Sequence, residues 1–107
     1  MARIDADALL PNDRVKSAVK GGDVTQLSRG ASNRYAEEGD TFELDGETFE
    51  VVAVDERKLG SLTDEDAQRE GSPSLEAYKK RMVAVHGGNF EWDDDSDIVS
   101  YRFERAV

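Results

Sequence analysis

Residues 41–54 read Thr-Phe-Glu-Leu-Asp-Gly-Glu-Thr-Phe-Glu-Val-Val-Ala-Val, and no other part of the chain constrains its architecture as strongly. The Asp45-Gly46 pair stands between two runs of alternating residues and favours a two-residue turn, because both central residues of such a turn need a positive φ. We therefore expect a β-hairpin with strands over residues 41–44 and 47–54. The second strand is apolar on both faces, which is typical of a barrel or of a sheet covered on both sides.

Helices and a further strand are predicted after the hairpin. Thr63, followed by three acidic residues, has the pattern of a helix N-cap, and Gly71 ends that short helix. A second helix begins at residues 72–74, and its apolar residues recur at helical spacing up to Val85. Alternating apolar and polar residues over 98–104 predict a strand that closes the barrel.

The residues before the hairpin predict three more elements. Leu9-Leu10-Pro11 is read as a short first strand that the proline stops. Asn12 is a suitable N-cap for a helix that runs to Lys20, with Val15, Ala18 and Val19 on its apolar face. Residues 24–28 are read as a strand and residues 30–38 as a loop.

Length and composition exclude several classes of protein. A chain of 107 residues suffices for one hydrophobic core but not for two, so we read residues 1–107 as a single domain. No apolar run approaches the roughly 18 residues of a membrane span. Asp5 and Asp7 stand where a signal peptide needs a basic region followed by an apolar one. We expect a cytoplasmic protein that acts without a membrane, most simply as a monomer.

No cofactor and no metal site are expected. The chain has no cysteine and a single histidine, His86, so a thiolate or imidazole zinc site has too few ligands. The acidic run 93–97 lacks the glycine and the glutamate that a calcium-binding helix-loop-helix requires, so it is read as a solvated loop.

The net charge of −10 is large for this length. Asp outnumbers Glu and Arg outnumbers Lys, a composition typical of proteins from cells with a salt-rich, halophilic cytoplasm. In dilute buffer such a charge opposes the compact state by self-repulsion, and salt relieves that repulsion by screening. We therefore expect a fold that requires salt.

The positive charges are concentrated near the N-terminus. One stretch of the chain contains five basic residues and the single acidic residue Asp23; the basic residues are Arg14, Lys16, Lys20, Arg29 and Arg34. This is the one locally cationic segment of any length, which makes it the candidate binding segment.

Four segments in this order resemble the ASCH domain, a small β-barrel of the PUA-like superfamily: residues 22–29, Gly39-Asp40, the hairpin and residues 62–71. The resemblance implies an α+β fold, a barrel of five or six strands with two or three helices packed against it. It also implies binding of RNA or of modified nucleosides, since members of the superfamily bind such ligands.

The first segment resembles the family pattern Gly-x-Lys-x-x-Glu/Thr-x-Arg, whose polar side chains face a cleft. Gly22 and Arg29 match this pattern, whereas Val24 replaces the lysine and Leu27 replaces the glutamate or threonine. Some family members are amidohydrolases that deacetylate N4-acetylcytidine with a Lys, a Thr and a Glu. In this chain that resemblance leaves only Glu70 of the three, with Thr25 as a displaced hydroxyl.

We therefore expect a non-catalytic RNA-binding module that uses a basic cleft. Its candidate nucleic-acid-binding residues are Lys16, Lys20, Thr25, Ser28, Arg29 and Arg34, with Arg29 central because a guanidinium can hold a phosphate or stack on a base. Tyr35 and Trp92 are candidates for stacking on an unpaired base. Two alternatives stay open: an amidohydrolase that uses Glu70 with Thr25 or Ser28, and a protein-interaction domain with an acidic surface.

Overall fold

The computed structural model describes residues 3–10, 13–32, 34–85 and 92–106. In chain order its elements are α1 (Ala6–Leu9), α2 (Asp13–Lys20), β1 (Gln26–Gly30), β2 (Thr41–Leu44), β3 (Glu47–Lys58), a 3₁₀ turn (Leu59–Ser61), α3 (Asp64–Arg69), α4 (Leu75–Val85) and β4 (Asp97–Arg105). The strands form one antiparallel sheet in the order β1-β4-β3-β2, which curls into a half-barrel. The α+β class predicted from the sequence is confirmed.

The described residues form four strands and four α-helices, whereas the sequence predicted five or six strands and two or three helices. The predicted first strand at residues 9–11 is wrong for its described part, since Leu9 ends helix α1. The N-cap of α1 is Asp5, whose side chain accepts a hydrogen bond from the Asp7 N–H at 2.9 Å. The apolar run therefore belongs to a short buried helix. Among the described residues before α1, β-pairing is limited to an isolated bridge between Arg3 and Thr41.

The hairpin has the predicted turn. Asp45 and Gly46 have φ values of 49° and 86°, and the two strands pair in register from Leu44–Glu47 to Thr41–Glu50. Strand β3 continues four residues beyond its predicted end at Val54, as far as Lys58. All four of these extra residues are charged, so the apolar alternation that marks the strand in the sequence ends before its pairing with β4 does.

The two predicted helices after the hairpin are confirmed. Thr63 caps α3 in a capping box: the Thr63 side chain accepts from the Asp66 N–H, and the Asp66 side chain accepts from the Thr63 N–H. The predicted cap at Asn12 lies outside the described residues. No helix among the described residues is both long and apolar enough to cross a membrane.

Apolar side chains form two clusters on opposite faces of the sheet. The larger cluster joins α1, α2 and one sheet face, and its fully buried members include Leu9, Phe42, Val51 and Tyr101. The smaller cluster packs α3 and α4 against the other face; its members are Leu59, Leu62, Ala67, Tyr78 and Ile98. Residues that alternate along β1 therefore meet different partners, and this places the candidate site residues on two separate faces.

Gly71 provides a test of this packing. It follows α3 with a φ of 92°, and a Cβ at this position would lie 3.0 Å from the Val24 Cγ2 atom. Gly71→Ala should lower the free energy of unfolding by about 2 kcal/mol, through backbone strain and the close contact with Val24. The matched control is Gly22→Ala, which has a φ of 84° but open space around the added Cβ, and it should cost only about 1 kcal/mol. Urea denaturation measures both, and equal losses would show that the contact with Val24 is unimportant.

Candidate nucleic-acid interface

Arg29 lies on the face of β1 that points toward the larger core, together with Leu27. Its Nη1 donates a hydrogen bond to the Leu9 carbonyl oxygen at 3.0 Å. Its guanidinium carbon lies 4.2 Å from the centre of the Tyr35 ring, within the range of a cation–π contact. The guanidinium is thus held by a backbone carbonyl on one side and by an aromatic ring on the other.

Tyr35 is itself fixed in place. Its backbone N–H donates to the Tyr101 hydroxyl oxygen at 2.9 Å, and the two rings meet edge to face with their centres 6.5 Å apart. Tyr101 is fully buried, so Tyr35 is anchored to the core while its own side chain is only partly buried. The Arg29–Tyr35 pair is therefore a preformed surface feature.

The other candidate cations each contact a carboxylate. Lys16 pairs with Asp7 and Asp13, Lys20 pairs with Asp45, and Arg34 pairs with Glu37 and Glu56. By contrast, no carboxylate of the described residues lies within ion-pair distance of Arg29. In a chain with a net charge of −10, a partly buried guanidinium without a carboxylate partner is the least neutralised cation of the predicted set.

The structure brings together only some of the predicted site residues. Arg29 and Arg34 lie near the same loop, because the ring of Tyr35 contacts Arg29 and Arg34 is its chain neighbour. Ser28 lies on the opposite face of β1, where its hydroxyl contacts Glu70. Thr25 is exposed just before β1, and its side chain makes no hydrogen bond with the described residues. The assignment of these residues to nucleic-acid binding stays a prediction.

Trp92 is engaged within the protein. Its Nε1 donates to Asp94 Oδ1 at 2.7 Å, its ring meets the Tyr78 ring edge to face, and the Lys79 ammonium lies 4.9 Å from its centre. Of the two aromatic residues considered for base stacking, Tyr35 is the one beside a candidate cation.

A buried polar cluster that sequence reasoning missed surrounds Glu70, which is only 3% exposed. One carboxylate oxygen, Oε1, accepts from the Ser28 N–H at 2.9 Å and from the Tyr78 hydroxyl at 3.0 Å. The other, Oε2, accepts from Gln26 Nε2 at 2.9 Å and from the Ser28 hydroxyl at 2.8 Å. A carboxylate offers about four acceptor positions, so protein donors occupy all of them.

The cluster extends through Gln26 to a second buried carboxylate. Gln26 Nε2 also donates to Asp66 Oδ1 at 3.2 Å, so one amide group joins Glu70 and Asp66. Arg57 holds Asp66 with two parallel bonds of 3.2 and 3.1 Å, and Arg69 donates a third at 3.3 Å. The signal in the sequence was the pair Gln26 and Ser28, two polar residues on one face of a strand.

The cluster shifts the pKa values of two of its members, Asp66 and Tyr78. Burial opposes ionisation of Asp66, but hydrogen bonds from the Thr63 backbone, from Arg57 and from Gln26 outweigh it and lower the pKa of Asp66 to about 2. Burial, together with the charge of Glu70, raises the pKa of Tyr78 well above its ordinary value. Tyr78 therefore remains a neutral hydroxyl donor to Glu70 at physiological pH.

The described residues contain no group of three or more Asp, Glu or His side chains arranged to hold a metal ion. Within the acidic run, Asp93 Oδ1 accepts from the Asp95 N–H at 2.9 Å, and Asp97 pairs with Lys58. These local contacts account for the conformation of the run.

Comparison with known proteins identifies the fold. The chain superposes on an ASCH domain from Lactobacillus crispatus with a TM-score of 0.65 and 17% identity, over 97% of this chain and 79% of that one. A protein from Enterococcus faecalis described by the family model DUF984 gives a TM-score of 0.62 and 17% identity, over 98% and 75% of the two chains. The hypothetical protein PH0355 gives 0.62 and 16%, over 98% of both chains.

The chain therefore has the ASCH fold, and the resemblance found in the sequence is confirmed at the level of the fold. No family model matches the sequence, and no curated protein matches it. At this low identity the likeness shows architecture alone, so the role of each side chain depends on its own geometry.

Glu70 tests whether the buried cluster is structural. In Glu70→Gln the new amide N–H₂ must face groups that now donate to the carboxylate, so at least one buried donor loses its acceptor. We expect the free energy of unfolding to fall by about 3 kcal/mol. The matched control is Glu76→Gln on the exposed face of α4, where Glu76 forms a surface pair with Lys80, and it should cost less than about 0.5 kcal/mol. Similar losses in the two variants would refute a structural role for Glu70.

Asp66 makes stability depend on pH. Because its pKa in the folded state is lowered, it stabilises the fold above the ordinary carboxyl pKa, and this contribution is lost as pH falls from about 4 to about 2. It amounts to about 2 kcal/mol. Urea denaturation of the protein and of Asp66→Asn across this range measures it: the stability difference between the two should be largest near pH 6 and shrink toward pH 2. A difference that does not change with pH would contradict the assignment.

Proposed function

We propose that this protein is a non-catalytic nucleic-acid-binding module that holds RNA, or a modified nucleoside, around Arg29. One observation carries the proposal: Arg29 is partly buried, and its guanidinium lies over the Tyr35 ring without a carboxylate partner among the described residues. The ASCH fold supports it, because the superfamily that the sequence resembles binds such ligands. We expect Arg29 and Tyr35 to be the centre of the interface.

The chemistry of Arg29 suits an unpaired nucleotide. A guanidinium has five N–H donors, and the described contacts use one of them on the Leu9 carbonyl. The remaining donors can bind a phosphate in a bidentate manner, and the planar group can stack on a base. Single-stranded RNA is recognised in this way, by bases that stack on aromatic rings and on guanidinium planes.

The surrounding charge shapes the kind of binding. With a net charge of −10 the chain repels phosphates at long range, and the lysines of α2 are already paired with carboxylates. Affinity that depends on few phosphate contacts falls only weakly with salt, by a slope of about −0.7 per phosphate for a single strand. We therefore propose that stacking and hydrogen bonds in the interface give most of the affinity, and that the ligand is a base or a nucleoside in a short unpaired segment.

The geometry of Glu70 favours a binding role over the amidohydrolase alternative. All acceptor positions of its carboxylate are occupied by protein donors, so it has no free lone pair for a substrate proton. Val24 and Leu27, at the other two family positions, cannot transfer a proton. The hydrogen bond from Ser28 to Glu70 is the one contact that an acid–base pair would also have.

The test of binding is a titration with short single-stranded RNA at about 2 M KCl, followed by amide resonances, because screening at this salt removes nonspecific attraction. We expect residues around Arg29 and Tyr35 to shift, and Arg29→Ala to weaken binding roughly 10-fold, as expected for loss of a stacked, charge-assisted contact. The control Lys80→Ala removes one positive charge from the exposed face of α4 and should leave affinity unchanged.

Other outcomes point to the alternatives. If Arg29→Ala and Lys80→Ala weakened binding equally, Arg29 would contribute only its positive charge. The absence of any shift near Arg29 would favour a protein-interaction domain. Incubation with N4-acetylcytidine tests the amidohydrolase alternative, and we expect no free cytidine to form. Turnover that disappears in Glu70→Gln, with the variant shown to be folded, would establish the hydrolase instead.

A further inference from the structure

Tyr101 places a hydroxyl group inside the larger core, where a phenylalanine would fill almost the same space. Its side chain is fully buried and belongs to the same apolar cluster as Phe103, which follows two residues later on β4. A buried hydroxyl costs free energy unless it takes part in a hydrogen bond. Here the hydroxyl oxygen accepts a hydrogen bond from the Tyr35 N–H at 2.9 Å. The hydroxyl of Tyr101 therefore serves Tyr35 rather than the packing of the core.

Tyr35 lies in the loop that connects β1 with β2 and has no regular secondary structure of its own. The far end of this loop is fastened to the sheet by the Gly39 N–H, which donates to the Val51 carbonyl oxygen at 2.8 Å. Across residues 34–36, which the structure describes, the chain is held by the backbone hydrogen bond from Tyr35 to Tyr101. The position of the Tyr35 ring therefore depends on the Tyr101 hydroxyl.

A second attachment of this part of the loop is sensitive to salt. Arg34 pairs with Glu56 of β3 at 2.6 Å and with Glu37 at 3.3 Å, and all three side chains are exposed. Exposed ion pairs contribute little to stability and are screened by salt, whereas buried contacts are screened much less. In the salt that so acidic a chain is expected to require, the hydrogen bond to Tyr101 is therefore the attachment that persists.

Tyr101 also ties Tyr35 to the strand that carries Arg29. In the register of β1 with β4, Tyr101 stands opposite Leu27, and Arg29 follows two residues along β1 on the same face. The Tyr35 and Tyr101 rings meet edge to face with their centres 6.5 Å apart, while the Arg29 guanidinium carbon lies 4.2 Å from the Tyr35 ring centre. The sheet thus places both members of the Arg29–Tyr35 pair before a ligand arrives.

We propose that Tyr101 is a positioning residue for the nucleic-acid site: its hydroxyl holds the loop so that the Tyr35 ring stays over Arg29, and it contacts no ligand itself. The inference rests on the proposed function, since it concerns how that site keeps its shape. A binding group that is already in place loses less conformational freedom when the ligand arrives, and this difference appears as affinity. Without the hydroxyl, the ligand has to order Tyr35.

Tyr101→Phe tests the proposal, because it removes the hydroxyl and keeps the buried ring. Affinity for short single-stranded RNA at about 2 M KCl should fall about 5-fold, the loss expected when one side chain has to be ordered on binding. The side-chain Nε–H resonance of Arg29 reports the position of the Tyr35 ring, since an aromatic ring shifts the resonances of nearby protons. Without any ligand, this resonance in Tyr101→Phe should move toward its position in Tyr35→Ala.

Tyr78→Phe is the matched control for stability. Tyr78 is likewise buried, and its hydroxyl donates to the Glu70 carboxylate at 3.0 Å on the other face of the sheet. Loss of a hydrogen bond to a buried charge should lower the urea midpoint at least as much as Tyr101→Phe does. Both the RNA affinity and the Arg29 resonance should stay unchanged in Tyr78→Phe. A merely structural role of Tyr101 would instead make affinity follow stability in the two variants.

A double substitution tests whether Tyr101 acts through Tyr35. If it does, adding Tyr101→Phe to Tyr35→Ala should weaken binding no further, because the effects of residues in contact are not additive. A measurement on the unaltered protein needs no variant to fold. The Tyr35 amide proton should exchange with solvent more slowly than that of Arg34, whose N–H makes no hydrogen bond with the described residues.

The outcomes separate this inference from the proposed function. A loss of affinity in Tyr101→Phe that is absent in Tyr78→Phe and in the Tyr35→Ala background supports it. Unchanged affinity in Tyr101→Phe, while Arg29→Ala still weakens binding, overturns the inference alone. An equal loss in Tyr78→Phe, a further loss in the Tyr35→Ala background, or a Tyr35 amide that exchanges as fast as its neighbour's does the same. If the unaltered protein binds no RNA, both proposals fail.

Discussion

The rest of the structure depends on the burial of the Glu70 carboxylate. Its four hydrogen bonds come from β1 and α4, while the residue itself ends α3, so one ionised group joins three elements that are distant in the chain. A helix of six residues such as α3 is not stable in isolation, and the cluster that Glu70 forms, together with the capping box at Thr63, holds it on the sheet. Removal of any donor would leave part of a buried charge unsatisfied, and for this reason the cluster behaves as a unit.

This arrangement assigns different tasks to the two faces of β1. Gln26 and Ser28 are committed to the buried cluster, which makes that part of the strand rigid. Arg29, on the other face, is oriented by the Leu9 carbonyl and by Tyr35. A guanidinium on a rigid strand loses little conformational freedom when a ligand arrives, which favours selective binding even where long-range attraction is absent.

The elements that the sequence predicted well are those with local causes. The hairpin follows from the turn requirement of Asp45-Gly46, and α3 follows from the cap at Thr63 and the acidic residues after it. The elements that it did not predict have distant causes. Leu9 and Leu10 have an apolar pattern that suits either a buried strand or a buried helix, and packing against the sheet decided for the helix. Strand β3 continued past its apolar residues because β4 was there to pair with it.

The candidate site was predictable only in part, for the same reason. The family pattern pointed to Arg29, but its contact with the Leu9 carbonyl spans 20 residues, and the contacts between Glu70 and β1 span more than 40. The pairs of Lys16 with Asp13 and of Arg34 with Glu37 are local, but the sequence contained no sign of the partners Asp7, Asp45 and Glu56, because these come from other elements. The β-bulge between β3 and β4 is likewise a matter of register, which pattern alone does not determine.

One hydrogen bond of the Glu70 cluster also bears on how the protein stays dispersed. β1 is an edge strand, and the Ser28 N–H on its outer side is a donor that a strand of another molecule could use to extend the sheet. Glu70 already occupies that donor from within the same molecule. In concentrated salt, where repulsion between acidic surfaces is screened, this partly buried internal bond persists, so the Ser28 N–H stays unavailable to a neighbouring strand when charge no longer keeps molecules apart.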